Sequence, residues 1–166
     1  KSISGINNFS VKKISTFYKK FLNYKKFPIV EFNKISECES AKIMENSYRA
    51  LNISFIDEWN RFSMKNNLNL NKIINSIKVR KTHSNLMRPG IGVGGYCLTK
   101  DPSFGEISAN KIFKKKSSFP LSKAAISINN KMPFFCFQFI NEKIRNLNKK
   151  KNFNYWKSLQ IRCVRY

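Results

Sequence analysis

The sequence predicts a mainly helical fold, and three observations support this prediction. Neither proline nor glycine occurs between Cys38 and Leu70, so one long helix can run through that segment. In residues 69–80, Ile73, Ile74 and Ile77 give a second helix a face to bury. The apolar run Met132–Ile140 is too short to cross a bilayer and indicates a buried helix face. At 166 residues, the chain is long enough for one core.

The long helix, expected from about Cys38 to about Met64, divides into two stripes. Polar residues recur every three or four positions along one stripe: Glu39, Lys42, Asn46, Arg49 and Asn52. The opposite stripe is apolar and is expected to pack: Ile43, Leu51, Phe55 and Phe62. Taken singly, each polar residue fits a solvated face with a Glu39–Lys42 ion pair.

The most informative segment is the glycine-rich loop that runs from Pro89 to Pro102. It reads PG-x-GVGG-x-C-x3-DP, so a flexible backbone carries Cys97 and a carboxylate follows at Asp101. Backbone N–H groups of such a loop can bind an oxyanion while a thiolate attacks carbon. Asp101 can also cap a helix that starts at Pro102. The pattern predicts nucleophilic chemistry at Cys97.

Two other interpretations of this loop stay open. Gly90, Gly92 and Gly95 satisfy G-x-G-x-x-G, but a dinucleotide site needs a strand before the glycines and a helix opening from the last of them. Here Arg88 and Pro89 precede the glycines, which argues against that site. A purely structural loop is the second alternative, and it leaves Cys97 and Asp101 unexplained.

The loop and the polar stripe together resemble one enzyme family. The order E-x-x-K-x3-N-x2-R from Glu39, followed by the cysteine loop, is similar to the nucleotide-sugar dehydrogenases of the UDP-glucose, UDP-N-acetylmannosamine and GDP-mannose 6-dehydrogenase type. The resemblance implies a helical central, dimerisation domain at residues 37–145. It also implies a remnant of an α/β NAD-binding Rossmann domain at 1–36, and a linker with the start of a truncated UDP-binding domain at 146–166. We therefore expect a fragment that is inactive alone.

The resemblance also implies a reaction and a site. Such enzymes oxidise the C6 alcohol of a nucleotide sugar to a uronic acid in two hydride transfers to NAD, through a thiohemiacetal and a thioester on cysteine. The implied catalytic residues are Cys97, Lys42, Asn46 and Asp101, which we expect to be buried in one cleft. The implied substrate-binding residues are Pro89, Gly90, Gly92, Gly94, Gly95, Lys81 and Glu39. NAD would be bound mainly by the N-terminal domain. A homodimer through the long helix and a role in polysaccharide biosynthesis are implied as well.

The sequence departs from the family pattern at several positions. Asp57 stands before Glu58 where the family usually has asparagine, and Ile126 stands where an arginine is common. Lys81 replaces a residue that is often proline or arginine. The particular sugar cannot be read from these residues.

The charge supports a competing hypothesis. Lysine and arginine number 32 against 9 acidic residues, a net charge of +23. Such an excess is typical of proteins that bind nucleic acid or anionic membranes. The lysines come as short pairs and triplets without a zinc knuckle or an RNP-like strand, so we interpret most of them as surface composition. A basic nucleic-acid-binding or interaction module stays the alternative.

The cysteines and the single histidine predict neither disulfides nor a metal site. Cys38, Cys97, Cys136 and Cys163 are far apart and form no C-x-x-C pair, so all but Cys97 are expected to pack. His83 has no Cys or His at ligand spacing. Because no signal peptide or long apolar span is visible, a cytoplasmic protein without membrane contact is expected.

Overall fold

A computed structural model of the chain describes residues 1–143 and contains two compact units, Lys1–Glu45 and the chain from Asn46 onward. The described residues form two short strands, five α-helices and one 3-10 turn. They are β1 (Ser2–Ile3), α1 (Asn8–Lys19), β2 (Val30–Glu31), α2 (Ile35–Lys65), α3 (Leu70–Lys78), the turn Lys81–His83, α4 (Asp101–Lys111) and α5 (Pro120–Lys143). The predicted mainly helical class is confirmed. The segment predicted to begin a further domain, 146–166, lies outside the described residues.

The first unit is a small β–α–β arrangement. β1 and β2 are parallel, with Ser2 opposite Val30 and Ile3 opposite Glu31, and α1 connects them. α1 begins after Asn7 because the Asn7 side chain accepts a hydrogen bond from the Ser10 N–H at 2.9 Å. Parallel strands joined through a helix are the repeating element of α/β domains.

The long helix is confirmed as α2, the longest described helix, and it begins three residues before the predicted Cys38. It ends at Lys65, after which Asn67 adopts a left-handed φ of 55°. Asn69 then caps α3 by accepting from the Lys72 N–H at 3.0 Å. Phe55 and Phe62 of the apolar stripe do not pack within the described chain, since they are 52% and 49% exposed. The buried side of α2 instead carries smaller or polar residues, namely Asn46, Ala50, Ser54, Ile56, Asp57 and Ser63.

The second unit has its main apolar cluster where α2 meets α3. Ile56, Leu70 and Ile74 are almost fully buried there, and Leu86 and Met87 pack against them. The predicted burial of Ile77 is wrong. Its side chain is 36% exposed, because the chain leaves α3 one residue later for the turn at Lys81–His83.

α4 and α5 pack against each other and complete the frame around the glycine loop. A Cβ on Gly105 would lie 2.9 Å from the Phe119 ring, so this glycine permits the close approach. The expected buried face at Met132–Ile140 is only partly present. Met132 is buried, but Phe134 and Phe139 are exposed, because consecutive apolar residues on a helix point in different directions.

Candidate active site

The glycine loop needs left-handed backbone at two of its glycines. Gly92 has φ of 100° and Gly95 has φ of 82°, a region that residues with a Cβ rarely adopt. A Cβ on Gly92 would lie 2.9 Å from the Met132 Cβ, so the loop lies directly on α5. Gly94 has neither restriction, since a Cβ there would meet nothing within 4 Å. Gly92 and Gly95 are therefore needed for the left-handed backbone of the loop, whereas the conformation at Gly94 does not require glycine.

The middle of the loop is fixed by one side chain of α5. Asn129 accepts a hydrogen bond from the Val93 N–H at 2.8 Å and donates from Nδ2 to the Val93 carbonyl at 2.8 Å. The pair satisfies both backbone groups of one loop residue, as a neighbouring strand would. Sequence reasoning missed this role, although Asn129 stands in the polar Asn129-Asn130 pair of an otherwise apolar segment.

The entry to the loop is held by α2 and α3. Asn52 accepts from the Met87 N–H at 2.9 Å and donates to the Asn85 carbonyl at 3.1 Å. The Arg88 guanidinium donates to the side-chain oxygens of Asn71 and Asn75, at 3.1 and 3.0 Å. Arg88 thus ties the start of the loop, just before Pro89, to α3.

The exit of the loop brings together three of the four predicted catalytic residues. The Asp101 N–H donates to the Cys97 carbonyl at 2.9 Å, so the two residues are joined by one turn of backbone. The Asn46 Nδ2 donates to Asp101 Oδ2 at 2.7 Å, across 55 residues of sequence. Asn46 is only 1% exposed. A buried amide from α2 therefore fixes the orientation of the Asp101 carboxylate.

Two expectations about this exit are corrected. Asp101 is not the N-cap of α4, because it is the first helical residue and its carboxylate is bound to Asn46. Cys97 is not buried either; its side chain is exposed at the surface of the loop, while the adjacent Leu98 is buried. Leu98 and the fully buried Pro102 fix the backbone that follows the thiol.

The remaining predicted site residues lie elsewhere or face solvent. Lys42 and Glu39 stand on the part of α2 that belongs to the first unit, and both are exposed. Lys42 forms its ion pair with Glu45 at 2.9 Å and not with Glu39, the partner in the alternative interpretation of a solvated face. The next turn of the helix, not the preceding one, supplies the partner. Lys81 lies exposed in the 3-10 turn, and Pro89 is half-buried at the start of the loop.

The other cysteines fit the expectation in part. Cys38 and Cys136 are half-buried, and Cys163 lies outside the described residues. Burial raises the pKa of the Cys136 thiol, and the negative charge of Asp57 adds to this shift. Within residues 1–143, no group of three or more His, Cys, Asp or Glu side chains is placed to hold a metal ion. No helix in the same range is long and apolar enough to span a membrane.

These features agree with comparisons against known proteins. The profile of the UDP-glucose/GDP-mannose dehydrogenase family, central domain, matches residues 36–131, more than half of the sequence. The chain belongs to the UDP-glucose/GDP-mannose dehydrogenase family, and residues 36–131 are its central domain. The resemblance drawn from the sequence is thereby confirmed.

Individual relatives are dehydrogenases of UDP-sugars. The UDP-N-acetyl-D-mannosamine dehydrogenase of Methanococcus vannielii is 32% identical over 151 residues, which are 90% of this chain and 32% of that protein. The UDP-glucose 6-dehydrogenase of Campylobacter jejuni is 32% identical over 78% of this chain and 34% of its own. The structure of the Pyrococcus horikoshii UDP-D-ManNAc dehydrogenase superposes with a TM-score of 0.69 at 29% identity, over 89% of this chain and 32% of that one. The chain thus spans about a third of the length of these relatives.

Proposed function

We propose that this chain is the central part of an NAD-dependent nucleotide-sugar 6-dehydrogenase, which oxidises the C6 alcohol of a UDP-sugar to a uronic acid. The observation that carries the proposal is the hydrogen-bonded series from Asn46 to Asp101 to the backbone of Cys97. This series supports the proposal because covalent oxidation of an aldehyde requires a nucleophile, a carboxylate and an amide donor near one another.

The residues divide the work as follows. The Cys97 sulfur adds to the C6 aldehyde and forms a thiohemiacetal, whose loss of hydride gives a thioester. Water then cleaves the carbon–sulfur bond, releasing the carboxylate and restoring the thiol. Asp101 accepts a proton from this water, and Asn46 holds the carboxylate in place at 2.7 Å. By the family resemblance, Lys42 would add positive charge that favours the thiolate.

The glycine loop itself does not fit NAD. A dinucleotide site needs a helix that opens from the third glycine, whereas α4 begins at Asp101, six residues after Gly95. NAD accepts hydride when it is bound, and the proposal assigns its binding to the nucleotide-binding domain of the whole protein. The β–α–β unit before α2 would be the last part of that domain, as the parallel pairing of β1 and β2 suggests.

A homodimer through α2 is part of the proposal. Large side chains stand exposed along this helix at spacings of seven, four and three residues: Tyr48, Phe55, Trp59 and Phe62. The rings of Phe55, Trp59 and Phe62 also contact one another in series, at centroid distances of 6.4 and 5.5 Å. A self-complementary apolar stripe of this kind suits a two-fold helix pair. Sedimentation equilibrium at micromolar concentration should give a dimer for the whole protein, and Trp59→Glu should shift it to monomer.

The catalytic proposal is tested by reacting the whole protein with UDP-N-acetyl-D-mannosamine or UDP-glucose and NAD. We expect two NADH formed per uronate released, and a sugar adduct on the peptide that contains Cys97 when the reaction is quenched with acid. An adduct on another cysteine, or one NADH per product, would overturn the assignment.

A further inference from the structure

A surface cavity of about 420 Å³ lies where the end of α2 meets the start of α3, and Pro89 of the glycine loop forms part of its wall. Its lining includes four asparagines, together with Ser63, and contains no Asp or Glu: Asn60, Asn67, Asn69 and Asn71. Ser63 follows Asn46 by 17 positions on α2. Because a helix rises about 1.5 Å per residue, the cavity stands about 25 Å along α2 from the pair of Asn46 and Asp101. It is therefore separate from the candidate active site.

Ser63 is the unusual residue of this lining. Its side chain is almost fully buried, at 1% exposure, and its Oγ has no hydrogen-bond partner. Its backbone carbonyl, in contrast, accepts from the Leu68 N–H at 2.9 Å and so closes the turn that follows α2. Buried hydroxyl groups are nearly always bonded, because an unbonded one loses its hydration without compensation. The Ser63 hydroxyl therefore points to a polar group of a ligand as its partner.

The two asparagines at the start of α3 offer donors to such a ligand. Asn69 Oδ1 accepts from the Lys72 N–H at 3.0 Å, and Asn71 Oδ1 accepts from the Arg88 guanidinium at 3.1 Å. Since backbone N–H and guanidinium groups only donate, these contacts fix which end of each amide is the oxygen. What Asn69 and Asn71 can offer a ligand is therefore Nδ2, which only donates.

The backbone of α3 adds two further donors. Asn69 satisfies the N–H groups of Lys72 and Ile73, through its side chain at 3.0 Å and its carbonyl at 3.2 Å. The N–H groups of Leu70 and Asn71, the first two of α3, have no acceptor within the helix. The positive end of the helix dipole lies at the same place. Donors and field together favour an anion with several acceptor oxygens.

A neutral sugar is the other ligand that an asparagine-rich cavity suggests. Sugar hydroxyls both donate and accept, so a sugar site needs acceptors as well as donors. The side-chain oxygens of Asn69 and Asn71 are already bonded, and the lining has no carboxylate. The amide oxygens that remain, those of Asn60 and Asn67, are outnumbered by the donors. The balance of groups favours the anion.

We propose that the cavity between α2 and α3 binds a phosphoryl group. Its oxygens accept from Nδ2 of Asn69 and Asn71 and from the first N–H groups of α3, and the Ser63 hydroxyl donates to one of them. The Arg88 guanidinium, held by Asn71, adds positive charge beside the site. A volume of about 420 Å³ also leaves room for a small molecule that carries the phosphoryl group. The site does not depend on the proposed dehydrogenase reaction.

The test is an NMR titration of the isotope-labelled 166-residue chain with inorganic phosphate and with glucose 1-phosphate, each against sodium chloride at equal ionic strength. Saturable shifts are expected at the backbone N–H groups of Leu70 and Asn71 and at Nδ2 of Asn69 and Asn71. Tighter binding of glucose 1-phosphate would identify an organic phosphate as the ligand, and equal affinities would identify free phosphate. The same shifts with unphosphorylated glucose, or shifts that spread over the lysines without saturating, would overturn the inference.

Three variants separate this site from general attraction to a basic surface. Ser63→Ala should weaken phosphate binding about tenfold without lowering the urea midpoint, because the hydroxyl it removes is unbonded. Asn71→Asp keeps an acceptor for Arg88 but replaces Nδ2 by an oxygen, so saturable binding should be lost. Asn75→Asp adds the same charge at the other partner of Arg88, outside the cavity lining, and should retain saturable binding. Equal affinities in Asn71→Asp and Asn75→Asp, or a destabilised Ser63→Ala that binds phosphate normally, would refute the site.

Discussion

Two asparagines from different helices hold the glycine loop, and they hold different things. Asn129 of α5 satisfies the backbone N–H and carbonyl of Val93, so it sets the shape of the loop. Asn46 of α2 is more deeply buried and donates its amide N–H to the side chain of Asp101, so it orients a carboxylate. The Asn129 amide binds backbone and therefore stabilises the fold of the loop. The Asn46 amide binds a carboxylate and therefore orients a candidate catalytic side chain. Substitutions at the middle and at the exit of the loop should separate these roles.

The largest expected effect is at the loop exit. Cys97→Ala in the whole protein should abolish net uronate formation, because the aldehyde loses its covalent attachment to the enzyme. NAD binding, measured by fluorescence titration, should be unchanged, since the proposal places NAD on another domain. The 166-residue chain alone should show neither activity nor micromolar NAD affinity. Full oxidation by the variant would show that Cys97 is not the nucleophile.

Asn46→Ala should have the second largest effect. Removing the amide frees Asp101 to rotate away from the thiol, and we expect kcat to fall about 100-fold, the scale of losing one oriented donor in an active site. The urea midpoint should fall only modestly. A large fall in the urea midpoint with kcat per folded molecule unchanged would show that Asn46 is structural in the same way as Asn129.

Asn129→Ala is the matched variant at the middle of the loop. It leaves both backbone groups of Val93 without their partner, which should cost about 2–3 kcal/mol in the free energy of unfolding, measured with urea. Activity per folded molecule should fall less than in Asn46→Ala. A larger loss of activity in Asn129→Ala than in Asn46→Ala would contradict the different roles assigned to the two asparagines.

The sequence predicted the long helix and the motif residues better than it predicted the asparagines that hold the loop. The long helix followed from the absence of proline and glycine between Cys38 and Leu70. The family resemblance grouped Asn46 with Asp101, and these two side chains are hydrogen-bonded. The roles of Asn129 and Asn52 did not follow, because an asparagine's hydrogen-bond partner is set by tertiary contacts and not by local periodicity. The same limit explains Phe55 and Phe62. Helical spacing identifies a shared face, but it does not say whether that face meets the core or solvent.

The smallest expected effects distinguish two glycines within the loop. Gly92→Ala should destabilise the chain by about 1–2 kcal/mol, because φ is 100° and the new Cβ would meet Met132 at 2.9 Å. Gly94→Ala, in open space and without a left-handed φ, should change the free energy of unfolding by less than about 0.5 kcal/mol. Urea unfolding of the 166-residue chain would measure both costs. Equal costs at the two positions would mean that the contact between the loop and α5 is not what fixes its middle. In that case Asn129 alone would have to hold Val93, and Gly92→Ala combined with Asn129→Ala should cost no more than Asn129→Ala by itself plus the cost of Gly94→Ala.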